Sequence, residues 1–316
     1  MEIVVLDGYA LNPGDLSWAE LETLGHVTVY DRTPAGETVR HIGQAPVVLT
    51  NKTLLTAEVF DACPTLRYVG VLATGYNVVD VPSAARRGIC VTNIASYGTA
   101  AVAQYTFALL LELCQHVGAH DRAVHAGEWA RRGEFCFWDA PLVELDGLTM
   151  GLIGLGRIGG KVAQIAQAFG LKVLAYDPSP SPAPAGVTKT TLPELLAASD
   201  IISLHCPLTA DNEGLIHRDT LLQMKPGALL INTARGPLLR EADVAEALRS
   251  GQLGGAAVDV LCAEPARADN PLLQAPNCLI TPHIAWAPLA SRQRLMAIAV
   301  ENVRSFLAGS PINVVR

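Results

Sequence analysis

One glycine-rich turn and three chargeable residues carry most of the chemical content of this sequence. Gly154-Leu155-Gly156-Arg157-Ile158-Gly159 follows the apolar run Leu148–Ile153 and opens the helix-type run Ile158–Phe169. The spacing G-x-G-x-x-G is a weak signal alone and a strong one between a strand and a helix. In that setting Gly154 permits a tight turn, Gly156 lets a pyrophosphate approach the backbone, and Gly159 lets helix and strand pack closely. The diphosphate of a dinucleotide would then meet free backbone N–H groups at the positive end of a helix. The next strand-type run, Lys172–Tyr176, leads into Asp177. A carboxylate there accepts hydrogen bonds from the adenosine ribose hydroxyls and repels a 2′-phosphate, which favours NAD over NADP. A glycine turn without a ligand is the competing reading, and it leaves the strand, the helix and the acid as coincidence.

Hydride transfer at an alcohol carbon needs three further groups: one to take the hydroxyl proton, one to hold the substrate and polarise its carbonyl, and one to tune the base. Arg235 in Asn232-Thr233-Ala234-Arg235-Gly236, Glu264 in Ala263-Glu264-Pro265 and His283 in Thr281-Pro282-His283-Ile284-Ala285-Trp286 each lie just past a strand-type run. Open α/β sheets place their ligands at that end of the strands. A guanidinium offers paired donors to a carboxylate. An imidazole can cycle a proton near neutral pH, and a neighbouring carboxylate would fix its tautomer. Taken singly, a loop Glu is as readily a solvated residue and a lone His as readily a structural one. His116 and His120 share helical i, i+4 spacing with His125 nearby, but no cysteine or clear carboxylate completes a ligand set, so no metal is expected. Cys206, in His205-Cys206-Pro207, has no activating partner and reads as a structural thiol.

The elements that must position these groups alternate along the chain. Ile3–Leu6, Val27–Tyr30, Val47–Leu49, Arg67–Leu72 and Ile89–Thr92 read as strands, with helical stretches at Leu16–Leu24, Glu37–Ile42, Ala57–Ala62 and Val81–Arg87. A second series follows the long apolar helix Thr99–Leu113. Its strands are Leu148–Ile153, Lys172–Tyr176, Asp200–Leu204, Ala228–Asn232, Gly255–Val258 and Cys278–Ile280. Its helices are Ile158–Phe169, Leu192–Ala197, Arg218–Met224 and Glu241–Arg249. Continuous apolar strands alternating with helices predict α/β architecture, with parallel sheets covered on both faces. Apolar residues at 295, 298, 299, 303, 306 and 307 predict a final amphipathic helix.

With 316 residues, 50% of them hydrophobic and 17% charged, the chain can build two modest cores. A net charge of −7 argues weakly against a nucleic-acid partner. The N-terminus lacks a basic region and reads as a first strand, not a signal peptide. The stretch Ala100–Leu113 is broken by Gln104 and Glu112 and is too short to cross a bilayer, so no membrane is expected. Seven scattered cysteines suggest reduced thiols and a cytoplasmic address.

These motifs, taken with Val71-Leu72-Ala73-Thr74-Gly75-Tyr76-Asn77 and His205-Cys206-Pro207-Leu208-Thr209, resemble the D-isomer-specific 2-hydroxyacid dehydrogenases over nearly the whole chain and in the family's order. The segment Phe135-Cys136-Phe137-Trp138-Asp139 and the Ala73–Asn77 loop resemble most the hydroxypyruvate reductase and glycerate dehydrogenase branch. The resemblance implies a doubly wound Rossmann NAD-binding domain, 99–287, inserted in a flavodoxin-like substrate domain made of 1–98 and 288–316. It implies that His283 is the acid/base, Glu264 its partner and Arg235 the substrate clamp, with the backbone of Ala73, Thr74, Gly75 and Tyr76 binding the substrate carboxylate. It implies cofactor contacts from Arg157 and Ile158 at the diphosphate, Asp177 at the ribose, and His205 and Pro207 on the adenosine half. Thr99 and Val102 would line the cofactor, Thr233 and Asp259 would contact its nicotinamide half, and Ala234, His283 and Ala285 would be further cofactor contacts. It further implies a homodimer, a small 2-keto or 2-hydroxy acid substrate and, for this branch, reduction of hydroxypyruvate or glyoxylate. Reaction on D-lactate or another D-2-hydroxy acid is the alternative within the class, and an NAD-sensing binding protein the alternative outside it. Gln104 and Asn77 depart from the acids common in relatives, without touching the acid/base set. With the sequence read to Arg316, the regulatory domain of long phosphoglycerate dehydrogenases is not expected.

Overall fold

The structure, a computed structural model, describes residues 1–315. The chain divides into two compact units: Met1–Gly98 together with the chain from Ala287 onward, and Thr99–Trp286.

In the first unit the strands are β1 (Glu2–Val5), β2 (His26–Val29), β3 (Val47–Thr50), β4 (Tyr68–Val71) and β5 (Cys90–Thr92). All pair in parallel, in the order β2-β1-β3-β4-β5. This is the flavodoxin-like order. Every residue of β3 and β4 is buried, as a sheet covered on both faces requires. The helix Leu289–Leu307 belongs to this unit and buries Leu295, Met296, Ala299, Val300 and Val303. Its Phe306 ring lies 4.7 Å from the ring of Tyr68 on β4.

The second unit holds β6 (Thr149–Ile153), β7 (Lys172–Tyr176), β8 (Val187–Lys189), β9 (Ile201–Leu204), β10 (Ala228–Asn232), β11 (Leu253–Val258) and β12 (Cys278–Ile280). They form one parallel sheet in the order β12-β11-β10-β9-β6-β7-β8. The winding reverses between β6 and β9, the arrangement of a Rossmann sheet. The helix Thr99–Gln115 packs Phe107, Leu110 and Cys114 into the core of this unit with Met150, Leu152, Val162 and Ala163.

Four elements depart from the sequence expectation, each for a local reason. Strand β8 has three half-buried or exposed residues after a proline-rich loop, and so no apolar run to announce it. The helices Val117–His125 and Glu128–Arg132 bury no residue and carry no apolar stripe. The expected helix Leu16–Leu24 shrinks to Ala19–Glu22. Asn12 ties up both backbone groups of Leu16, and the Ser17 hydroxyl accepts the Ala19 N–H at 3.1 Å, so side chains take the bonds of a first turn.

Candidate active site

Gly154 sits at the switch point between β6 and β9, with φ at +99°. A Cβ there would lie 2.6 Å from the backbone of both His205 and Cys206, so only glycine lets the two loops meet. A Cβ on Gly159 would lie 2.2 Å from the Gly154 carbonyl oxygen, which makes it the close helix–strand contact. Gly156 differs, because a Cβ on it would meet nothing within 4 Å. It caps the 12-residue helix Arg157–Ala168, whose first-turn N–H groups point outward past it. Thr99, Leu155, Gly156, Arg157, Lys161, Gln164 and Pro184 line a hollow of about 460 Å³ beside this turn. An open, Cβ-free cradle on a helix N-terminus fits a diphosphate.

Asp177 follows β7 and accepts the Leu155 N–H at 2.5 Å and the Ser179 N–H at 2.8 Å. It therefore braces the glycine turn, while its remaining lone pairs stay available to ribose hydroxyls. His205 directly follows β9, with Nε2 at 2.9 Å from the Ser203 hydroxyl, and burial drops its imidazole to a pKa of about 4. It is a neutral ring supporting the turn. Pro207 follows, its carbonyl held by Asn212 at 2.8 Å. Ile158 is half-buried and Arg157 exposed at the helix start.

Strands β10, β11 and β12 are neighbours in the sheet, so the loops after them are brought side by side. The first carries Arg235, the second Glu264 and the third His283. His283 Nδ1 lies 2.7 Å from Glu264 Oε2, and Glu264 Oε1 accepts the Leu261 N–H at 3.1 Å. Both oxygens thus act as acceptors, which places the proton on Nδ1 of the neutral ring. His283 is held at φ +55°, in the left-handed region, and its carbonyl accepts the Trp286 indole N–H at 2.9 Å. A non-glycine residue kept there costs roughly 1 kcal/mol or more and is held by its surroundings.

Those surroundings centre on Asp259, which is 1% exposed. It accepts the Thr281 hydroxyl at 2.7 Å, the Ile284 N–H at 2.9 Å and the Ala285 N–H at 2.8 Å, so it braces the histidine loop from both sides. Burial raises its carboxyl pKa, against the lowering effect of those donors.

Sequence reading did not single out four supporting residues. Asn232, fully buried, accepts the Ala234 N–H at 3.0 Å and donates to the Arg235 carbonyl at 2.8 Å, shaping the turn that presents the guanidinium. Gly236 would place a Cβ 2.0 Å from the Leu261 backbone, so its absence lets the Arg235 and Glu264 loops touch. Thr106, on the long helix, sits 3.2 Å from the Thr233 hydroxyl, one turn after buried Val102. Glu241 accepts the Cys262 N–H at 2.8 Å and the Asn270 amide at 3.0 Å, closing the Glu264 loop. In the other unit, Ala73, Thr74, Gly75 and Tyr76 form the loop directly after β4. Among the described residues no three His, Cys, Asp or Glu side chains come together as a metal set.

A paired carboxylate and imidazole, a guanidinium on the neighbouring loop and a glycine-rich turn thus all follow the C-terminal ends of strands of one parallel sheet, the groups a nicotinamide-dependent dehydrogenase would need. Residues 107–285 match the family model of the D-isomer specific 2-hydroxyacid dehydrogenase, NAD binding domain. The chain is 55% identical to hydroxypyruvate reductase of Blautia hydrogenotrophica, covering 100% of this chain and 99% of the relative. An acyclic imino acid reductase solved with NADPH and D-Arg superposes with TM-score 0.87 at 32% identity, covering 100% of both chains. D-lactate dehydrogenase of Aquifex aeolicus, solved with NAD and lactic acid, gives 0.80 at 29% identity, covering 98% of this chain and 96% of that one. The chain belongs to the D-isomer-specific 2-hydroxyacid dehydrogenase family and is an NAD-dependent oxidoreductase.

Proposed function

We propose that this protein reduces hydroxypyruvate, and glyoxylate with it, to D-glycerate and glycolate at the expense of NADH. The observation that carries the reading is the 2.7 Å His283–Glu264 pair, on loops that follow the neighbours of the strand leading to Arg235, in a chain 55% identical throughout to a hydroxypyruvate reductase. Gly154, Gly156, Arg157, Ile158 and Gly159 hold the diphosphate. Asp177 takes the ribose, His205 and Pro207 the adenosine side, and Thr99, Val102, Thr233, Ala234, Asp259 and Ala285 the remainder. When bound there, NADH supplies the hydride. Arg235 pairs with the keto acid's carboxylate and polarises the C2 carbonyl. The backbone N–H groups of the Ala73–Tyr76 loop bind the same carboxylate. For the reduction His283 carries a proton on each ring nitrogen: Nδ1–H stays on Glu264, which keeps the ring in that orientation, and the Nε2 proton passes to the C2 oxygen, leaving the ring neutral.

The protein works as a homodimer in the cytoplasm. Phe135 and Trp138, exposed at 92% and 62%, offer an apolar surface that a second copy would cover. All seven cysteines are free thiols, in keeping with a reducing compartment. Among the described residues no helix is long and apolar enough to cross a membrane.

Steady-state NADH oxidation against a panel of 2-keto acids tests the reading, with His283→Ala beside the wild type. Hydroxypyruvate should give the highest kcat/KM, and His283→Ala should abolish turnover while still binding NADH. Absence of turnover on every 2-keto acid overturns it.

A further inference from the structure

We infer that Asn93 is a positioning residue for the substrate: it aims the amides of the Ala73–Tyr76 loop, and the C-terminal segment holds it in place. The inference rests on the reading of that loop as the substrate-carboxylate site.

The loops after β4 and β5 are zipped together by three bonds. The Ile94 N–H donates to the Ala73 carbonyl at 3.0 Å, the Asn93 side-chain amide to the Thr74 carbonyl at 2.8 Å, and the Thr74 hydroxyl to the Ile94 carbonyl at 2.8 Å. In a planar trans peptide the C=O and the following N–H point to opposite sides. Drawing the carbonyls of Ala73 and Thr74 toward the β5 loop therefore turns the N–H groups of Thr74 and Gly75 away from it, side by side. Neither N–H meets a protein acceptor among the described residues. Successive free N–H groups of this kind make a concavity for an anion. The bond from Ile94 is backbone and indifferent to sequence. The Asn93 bond is the one through which a side chain sets the second peptide plane.

Asn93 is itself held from behind. Its carbonyl accepts the Asn302 side chain at 3.2 Å, and its N–H donates to the Asn313 carbonyl at 3.2 Å. Asn313 in turn donates its side-chain amide to Asn302 Oδ1 at 2.7 Å. Asn302 is 1% exposed on the helix Leu289–Leu307, a buried amide satisfied within this chain of contacts. The segment is fastened to β5 by the Thr92–Val314 bridge and by the Val315 N–H on the Val91 carbonyl at 2.8 Å. Residues more than two hundred positions apart thus meet behind the loop that the carboxylate would touch.

The test is steady-state reduction of hydroxypyruvate by the full chain carrying Asn93→Ala or Asn93→Asp, beside Asn313→Ala and Arg235→Gln. Neither Asn93 variant can donate to Thr74. KM for hydroxypyruvate should rise about tenfold in both, the scale of one weakened bond to a charged group. The kcat and the NADH dissociation constant should stay within about twofold, because binding common to ground and transition states is what is lost. A merely structural defect would instead lower the active fraction, and with it kcat. Asn313→Ala should raise KM about threefold by releasing Asn302 and loosening the Asn93 backbone. An unchanged KM in the Asn93 variants, with a raised KM in Arg235→Gln, overturns the inference and leaves the function intact. An unchanged KM in Arg235→Gln as well overturns the reading of the site. Should the Asn93 variants fail to fold, Asn313→Ala, at an exposed residue, decides: wild-type KM there overturns the inference.

Discussion

Replacing Glu264 by Gln removes one charge and almost no volume, yet the geometry predicts a large loss of turnover. The carboxylate accepts on both oxygens, from Leu261 N–H at 3.1 Å and from His283 Nδ1 at 2.7 Å. An amide has one acceptor and one donor end. If its oxygen keeps Leu261, its NH₂ faces Nδ1, the ring must move its proton to Nε2, and Nδ1 no longer anchors the productive orientation. If its oxygen keeps His283, two donors face each other at Leu261 and the loop must shift. Either way one bond to a charged group is lost, roughly 1.5–3 kcal/mol. The pair is about one-third exposed, at 29% and 34% for the two side chains, so the lower half of that range applies. That corresponds to about a tenfold to fortyfold fall in kcat/KM. The assay is hydroxypyruvate reduction followed through NADH absorbance, with NADH affinity measured separately by fluorescence and expected unchanged. A kcat/KM within about twofold of wild type would refute the assignment of Glu264 as the partner of His283.

Three more outcomes follow from the site. Asp177→Ala should raise the NADPH-to-NADH ratio of kcat/KM at least about tenfold, since the charge that repels a 2′-phosphate is gone. NADH KM should rise too, because the Leu155 N–H loses its acceptor; a wild type that already prefers NADPH contradicts the cofactor assignment. Gly236→Ala forces a Cβ to within 2.0 Å of the Leu261 backbone and should cost roughly 1–3 kcal/mol in thermal or urea unfolding, with kcat falling alongside. Wild-type stability and kcat would show that the two loops need no such contact. His205 has a pKa of about 4 in the fold, below its ordinary value, so the unfolded chain binds its proton first as pH drops. Its contribution is present above pH ~6.5 and lost as pH falls toward about 4, at most roughly 3 kcal/mol. Melting temperatures should fall over that window, less steeply in His205→Gln; identical slopes would rule out the buried neutral ring as a source.

The strands and the chemical groups were legible in the sequence for one physical reason. Parallel strands buried on both faces must be continuously apolar, and ligands must gather where such strands end. That is how Gly154, Asp177, Arg235, Glu264 and His283 came forward as candidates from residue type and position, and the structure sets them in loops after strands of one sheet. The same rule is silent about β8, at the sheet's edge and only half-buried, and about two surface helices with no buried face.

The residues that brace the site were hidden for the converse reason. Thr106 matters because it meets Thr233, 127 positions away, and Gly236 because the Leu261 backbone passes against it. Asn232 and Asp259 look in sequence like any polar residue at a strand end. Only burial with complete hydrogen bonding marks them as parts of a scaffold. Asp259 was expected at the cofactor, and the structure gives it a second task, since three donors from the histidine loop converge on its carboxylate. Chemistry is carried by residue type, which a sequence prints directly. Orientation is carried by pairings between distant residues, and those exist only once the chain is folded. A left-handed His283 follows from this division: the imidazole could be read from the chain, whereas the φ of +55° that aims it depends on Asp259 and Trp286 closing around its loop.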